Sequence, residues 1–287
     1  MIKEIKKDVL NKFKDNSKRL EHILGVTQMS LSLARKHGVD LEKMEIAALF
    51  HDYMKDEKND VLKKCVSPYI KTRYKNVPEC FHAFAAANIL EQSFNYHDKD
   101  VLNAIKYHVT AKKNMNKLAK ILFVADFCEP SRTHAFADQV REKAHENLDR
   151  AFALAVSKKV EHILSEGKEV DKNQLDVLKT LKKINFSILE VITDELEGLK
   201  VKDLRVFDFE STSPFYDYFV IATVNDRQGQ AAVTHIKKAI KNELRHVEKS
   251  TGWILIDAFS VIIHLFNEEN REYYGLDKRL LGVKRIK

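Results

Sequence analysis

Six residues in the first half of this chain have the types and the spacing of metal ligands: His22, the adjacent pair His51-Asp52, His82, His108 and Asp126. The order is H…HD…H…H…D, with steps of 29, 30, 26 and 18 residues between successive members. Imidazoles mixed with carboxylates suit iron, manganese, zinc or cobalt. A carboxylate has two oxygens, so Asp52 can bridge two ions, and two metals roughly 4 Å apart clamp a phosphate bond for hydrolysis. A lone histidine on an apolar helix is usually a satisfied core residue. Ligand types recurring on successive helices are a different matter, and they point to a dinuclear phosphohydrolase. His37, His97, His134, His145 and His162 fall outside the pattern and read as surface or packing residues.

The elements that must position these residues are helices. Leu20, Ile23, Leu24 and Leu31 share one face of the first of them, with Arg19 and His22 beside it. Residues 41–52 turn apolar toward their end, which places His51-Asp52 in a C-terminal turn with apolar surroundings. Helices are expected over 81–93, 100–109 and 115–128, the last with Leu118, Ile121, Leu122 and Ala125 inward. One long helix is expected from Phe136 to Leu164, carrying Leu148, Phe152, Ala155 and Val156 at helical spacing. Asp171 caps a short helix after Gly167. The pattern then changes. A helix from Asn185 to Leu196 ends at Gly198, and strands follow over 204–209, 216–223, 253–257 and 259–266, with a helix over 230–247. The expected architecture is an all-α domain, residues 1–182, followed by an α/β domain with a mixed sheet, residues 183–287.

Composition agrees with two domains: 287 residues, 44% hydrophobic, and only 8 Gly and 4 Pro, as long helices require. No stretch of about 18 apolar residues exists to span a membrane, and the charged N-terminus lacks an apolar signal core, so a cytoplasmic location is expected. Cys65, Cys80 and Cys128 lack CxxC spacing and read as reduced thiols. The net charge of +7 arises wholly before residue 183, because residues 183–287 hold 16 basic and 16 acidic side chains. That distribution favours an anionic ligand for the first part and speaks against general RNA affinity in the second. No GxGxxG, GxxxxGK[ST] or GxSxG occurs.

The residues around the histidines match a family. Arg19-x-x-His22 with Gly25-Val26, His51-Asp52-Tyr53 with Lys55, His82-Ala83, Ala104-Ile105 before His108-x-Thr110, and Ala125-Asp126-Phe-Cys-Glu129-Pro130-x-Arg132 resemble the bacterial HD-domain hydrolases of dinucleoside tetraphosphates, the YqeK-like family, over about residues 5–180. The resemblance implies that His22, His51, Asp52 and Asp126 hold one divalent metal and His82 and His108 a second, with Asp52 bridging. The family favours iron. Asp52, His82 and Lys55 are implied at the reacting centre, and Arg19, Lys55, Thr110 and Arg132 against the phosphates. Symmetric cleavage of diadenosine tetraphosphate gives two ADP. Ala111 departs from the pattern, standing where the family commonly has glycine. The alternatives are an HD phosphohydrolase acting on other nucleotides, or a catalytically dead HD domain on a ribosome-binding protein.

A second resemblance covers the remainder. Val206-Phe-Asp208, Tyr216 through Thr223, Asn225-x-Arg227-Gln228, Gly252-Trp253-x-Leu-x-Asp257, Val261-Ile-Ile-His264-x-Phe266 and Arg271-x-Tyr273-Tyr274-x-Leu276 resemble the ribosomal silencing factor family, RsfS or Iojap-like. It implies binding to the large ribosomal subunit through a protein of the L-fourteen family, a block on subunit joining, and a homodimer as an allowed state. Trp253, Tyr273 and Tyr274 are the expected contacts. The family's closing Leu-Glu-x-Leu-Trp is replaced here by Leu276 through Gly282, without the aromatic anchor.

Overall fold

The computed structural model describes residues 1–134, 136–209, 213 and 216–287. They divide into two compact units, Met1–Thr180 and Leu181–Lys287.

The first unit is helical: α1 (Ile2–Lys12), α2 (Ser17–His37), α3 (Leu41–Phe50), α4 (Asn59–Lys64), α5 (Pro68–Arg73), α6 (Phe81–Ser93), α7 (Lys99–Tyr107), α8 (Lys117–Cys128), α9 (Ala137–Glu146) and α10 (Leu148–Ser165). Short polar side chains start the site-bearing helices. Asn16, Asp40, Asp98 and Asn116 each accept a first-turn N–H of α2, α3, α7 and α8, an interaction that contributes about 1 kcal/mol apiece. Gly38, at φ 69°, ends α2 in the left-handed conformation.

Three expectations change here. The inward face of α2 is His22, Ile23, Val26, Met29, Ser30 and Leu33, while Leu24 is exposed; His22 is therefore on the buried stripe itself. The long helix expected over 136–164 is two helices, because Asn147 leaves helical geometry (φ −150°, ψ 107°) and its side chain caps α10 by accepting the Arg150 N–H. The short helix after Asp171 and the helix over 185–196 are one, α11 (Lys172–Gly198), whose first turns belong to the first unit and the rest to the second. No glycine or proline interrupts residues 172–197, so nothing local stops it.

The second unit adds β1 (Lys202–Asp208), β2 (Tyr218–Thr223), α12 (Asp226–Ile240), β3 (His246–Ser250), β4 (Trp253–Ala258), β5 (Val261–Phe266), α13 (Glu268–Tyr274), α14 (Leu276–Arg279) and β6 (Lys284–Arg285). The sheet order is β3-β4-β5-β2-β1-β6, with β2 and β5 parallel and the other pairs antiparallel. The mixed sheet is as expected. The two parallel strands are central and buried nearly throughout, which is why they read as continuous apolar runs. Leu189, Ile192 and Leu196 of α11 pack with Ala232, Val233 and Ile236 of α12 against one sheet face. Phe207, Ile221 and Phe266 on the other face are covered by Leu276, Leu280 and Val283.

Asn225 and Gln228 form a capping box at the start of α12, which gives the Asn-x-Arg-Gln motif a structural reason. The helix stops at Ile240 rather than 247, and His246–Ser250 becomes edge strand β3. That strand shows solvent-facing His, Glu, Lys and Ser, so it lacks the apolar alternation by which a strand is recognised; charge on an edge also discourages strand addition.

Candidate metal centre

Five helices of the first unit deliver the six residues. His22 lies in the second turn of α2, and His51-Asp52 follows α3, which buries Met44, Ile46, Ala47, Ala48, Leu49 and Phe50. His82 is the second residue of α6, His108 caps α7, and Asp126 is in the last turn of α8. All six converge.

Asp52 is the pivot. Its Oδ2 is 3.6 Å from His22 Nε2 and 3.8 Å from His51 Nε2, while its Oδ1 is 3.1 Å from His82 Nε2 and 3.4 Å from His108 Nε2. One carboxylate thus faces two histidine pairs, one through each oxygen. Asp126 Oδ1 joins the first pair at 3.3 Å from His22 Nε2. Within each pair the Nε2 atoms are 3.3 Å apart.

The outer ring nitrogens explain this crowding. His51 Nδ1 donates to the Ala48 carbonyl at 2.6 Å and His108 Nδ1 to the Ile105 carbonyl at 2.8 Å. Those bonds fix the tautomer and leave each Nε2 lone pair bare and pointing inward. Burial drives His51 and His82 down to about 4, so both rings are neutral at pH 7, the form that binds metal. For His22 burial opposes the charge, but hydrogen bonds to Asp126 and Asp52 win and raise it to about 9. Burial also opposes the Asp52 carboxylate, yet the surrounding imidazoles, His51 first, hold it well below the ordinary carboxylate value. Inward lone pairs around a shared carboxylate are costly unless positive charge lies among them. The donor set fits divalent metals.

Glu129 is a member that the spacing argument missed. It is buried, its Oε1 is 3.3 Å from His22 Nδ1, and it accepts from the Ser131 N–H at 2.7 Å. Burial opposes its charge, and the Ser131 hydrogen bonds lower its pKa nevertheless. A carboxylate behind a ligating histidine fixes ring orientation. Its signal lay in the ADxxEPxR run, three residues past Asp126.

The expected phosphate contacts are placed unevenly. Arg19 Nη1 donates to Asp52 Oδ2 at 2.6 Å, and the guanidinium also reaches Asp56. Arg132 Nη2 lies 3.4 Å from Asp126 Oδ1. Both line an open polar cleft with Asn16, Lys18, His22, Glu129 and Ser131. Thr110 is buried, and its hydroxyl has no hydrogen-bond partner among the described residues. Ala111 beside it adopts φ 56°, the left-handed region, which is where glycine is the easier residue. Lys55 is exposed in the turn after Asp52, and its charge acts on His82. His37 and His134 donate to the carbonyls of Ala144 and Phe127, apart from the centre.

In the second unit Trp253, Tyr274 and Tyr273 form a chain of rings, Trp253 to Tyr274 at 5.5 Å and Tyr274 to Tyr273 at 5.2 Å. Trp253 is stacked against His264 and Phe266 and donates its Nε1–H to His264 Nδ1 at 3.3 Å. Tyr273, in contrast, is 80% exposed. Leu276 and Leu280, in the segment that departs from the family ending, pack on the sheet.

A family model described as HD domain matches residues 19–131, and one described as ribosomal silencing factor during starvation matches residues 183–280. The symmetrical bis(5'-nucleosyl)-tetraphosphatase of Bacillus subtilis is 30% identical over 154 residues, covering 53% of this chain and 83% of that protein. The ribosomal silencing factor RsfS of the same species is 33% identical over 98 residues, covering 32% of this chain and 83% of that protein. A crystal structure from Clostridium acetobutylicum, described as a predicted HD superfamily hydrolase involved in NAD metabolism, is 26% identical with a TM-score of 0.58. It covers 64% of this chain and 97% of its own.

Proposed function

Because the chain belongs to the symmetrical bis(5'-nucleosyl)-tetraphosphatases in its first unit and to the ribosomal silencing factors in its second, we propose that it hydrolyses diadenosine tetraphosphate to two ADP and binds the large ribosomal subunit. The observation that carries the hydrolase reading is the two-sided placement of Asp52, one oxygen toward His22 and His51 and the other toward His82 and His108.

His22, His51, Asp52 and Asp126 would hold one divalent ion, and His82, His108 and Asp52 the other, with iron the preferred element of this proposal. Bound there, the pair supplies Lewis-acid polarisation of a phosphoryl oxygen and a nucleophilic water at neutral pH. The chain's own residues do the rest. Asp52 and Asp126 stay ionised because the histidines around them favour the charged form. Glu129 keeps the His22 ring aimed. Arg19 and Arg132 border the cleft where phosphoryl charge must be neutralised, and the Thr110 hydroxyl offers an unused donor. Lys55 supplies a further cation. Water adds to one central phosphorus, the bond to the bridging oxygen breaks, and both halves leave as ADP.

For the second unit, support comes from the family relationship and from exposed Tyr273 and Tyr274 beside half-buried Trp253. Docking would run through a protein of the L-fourteen family and block subunit joining in the cytoplasm, and a homodimer is compatible with it. Among the described residues no helix is long and apolar enough to cross a membrane. The union of the two units would bring removal of a nucleotide alarm signal to the ribosome. The test is metal analysis of anaerobically purified protein, followed by product analysis with diadenosine tetraphosphate. Two metals per chain and ADP as sole product are expected; ATP plus AMP, or no turnover with two metals bound, would overturn the substrate reading.

A further inference from the structure

Lys159 is a cation with no carboxylate of its own. It lies on α10, which packs against α8, and its Nζ sits 4.9 Å from the centroid of the Phe123 ring. Phe123 is one turn before Asp126 on α8, so the ammonium is brought to the Asp126 side of the centre. Among the described residues no carboxylate lies within ion-pair distance of it. Burial pushes its pKa down from the usual lysine value, while Asp126 and Asp52 favour the charge and Lys55 opposes it. The Cys80 thiol, raised by burial at the start of α6, feels both Lys159 and Lys55. Two lysines from separate elements therefore share one field beside the ligand cluster.

An ammonium partly withdrawn from water without an anion is costly, and a cation–π contact offsets only part of that. In the proposed function Asp126 and Asp52 are committed to metals, so their charge is spent. What remains to pair with Lys159 is a ligand anion. We propose that Lys159, together with Lys55, binds the polyphosphate of the substrate at the α6–α10 side of the centre, while Arg132 meets it from the cleft beside His22. This rests on reading the first unit as a polyphosphate hydrolase. A chain of four phosphates then has cations on more than one side of the scissile bond, which is what positioning a central bridge requires.

The test is titration calorimetry of the full-length, metal-loaded protein with inorganic tripolyphosphate. Lys159→Met keeps the stem over Phe123 and removes the charge; Lys159→Gln is the second variant should the first not fold. Both are expected to weaken the Kd at least about tenfold, the loss of one charge-assisted contact. Metal content should be unchanged, and Lys159→Arg should restore binding to within about threefold. An unchanged Kd in the folded Met or Gln variant, or no binding by the wild type, overturns the proposal. Turnover of diadenosine tetraphosphate is measured alongside. If the wild type binds tripolyphosphate with Lys159 dependence but does not cleave the dinucleotide, the assigned substrate is wrong and the lysine assignment stands.

Discussion

Gly25 and Glu129 meet with no room for a side chain between them. A Cβ on Gly25 would lie 2.6 Å from Glu129 Oε2, and the same carboxylate reaches His22 Nδ1 through its other oxygen at 3.3 Å. Gly25→Ala would ordinarily strengthen a helix by about 1 kcal/mol. Here it displaces the carboxylate that aims the imidazole one turn earlier. The expected result is retained helicity with metal affinity reduced about 10–100-fold, read by metal content against a chelator series. Full occupancy under the same competition would remove Glu129 from the centre.

Removing the pivot should separate the two halves of the site. Asp52→Ala is expected to lower turnover by at least about a thousandfold, since several kcal/mol of transition-state stabilisation depend on the pair it joins. His82→Ala should deplete one ion and spare the other, because His22, His51 and Asp126 are untouched. Metal counted per chain decides it; joint loss of both ions, or loss of neither, contradicts the partition.

The second unit should weaken in acid. His264 is buried, and burial lowers it from 6.5 to about 4. The unfolded chain therefore binds a proton that the folded unit refuses between those values. Stability is fully present above pH 6.5 and declines as pH falls toward 4, by on the order of 3 kcal/mol. The chain has 1 Trp, Trp253, whose Nε1–H bonds to His264, so its fluorescence follows this unit during denaturant unfolding. His264→Asn should flatten the slope over that interval. An equally steep slope in the variant would assign the effect elsewhere.

Tyr273 and Trp253 should part company when truncated. Tyr273→Ala removes an exposed ring, so stability should hold within about 0.5 kcal/mol while co-sedimentation with large ribosomal subunits falls about tenfold or more. Trp253→Ala opens the stack on His264 and Phe266 and should cost about 3 kcal/mol. Binding should depend only modestly on salt, because the unit's charges balance and few phosphates would be gripped. A steep dependence would mean RNA, not protein, is held.

What could be read from the residues follows from how each kind of signal arises. The convergence of His22, His51, Asp52, His82, His108 and Asp126 was legible because ligand chemistry would restrict residue type, and one such residue recurs on each successive helix. Parallel strands β2 and β5 were legible because both their faces are buried. Glu129 in its supporting place was not, because a buried carboxylate differs from a surface one only by its neighbours, Gly25 and Ser131. The break at Asn147 was hidden because Asn is tolerated in a helix, and only its cap geometry declares a new start. Strand β3 was hidden by its polar edge, and the continuity of α11 by the chain's change of pattern halfway along it.

As a bridge in the proposed centre, Asp52 would also couple its two halves thermodynamically. Whatever a cation at His22 and His51 does to the affinity of the pair His82 and His108, the second must do to the first by the same factor. Fixing the carboxylate for one partner pre-orders it for the other, while like charges so close oppose double occupancy. A binding isotherm for this protein should therefore follow a coupled two-site equation rather than a sum of independent sites, with the favourable part of the coupling lost and only the repulsion left when that single side chain is removed.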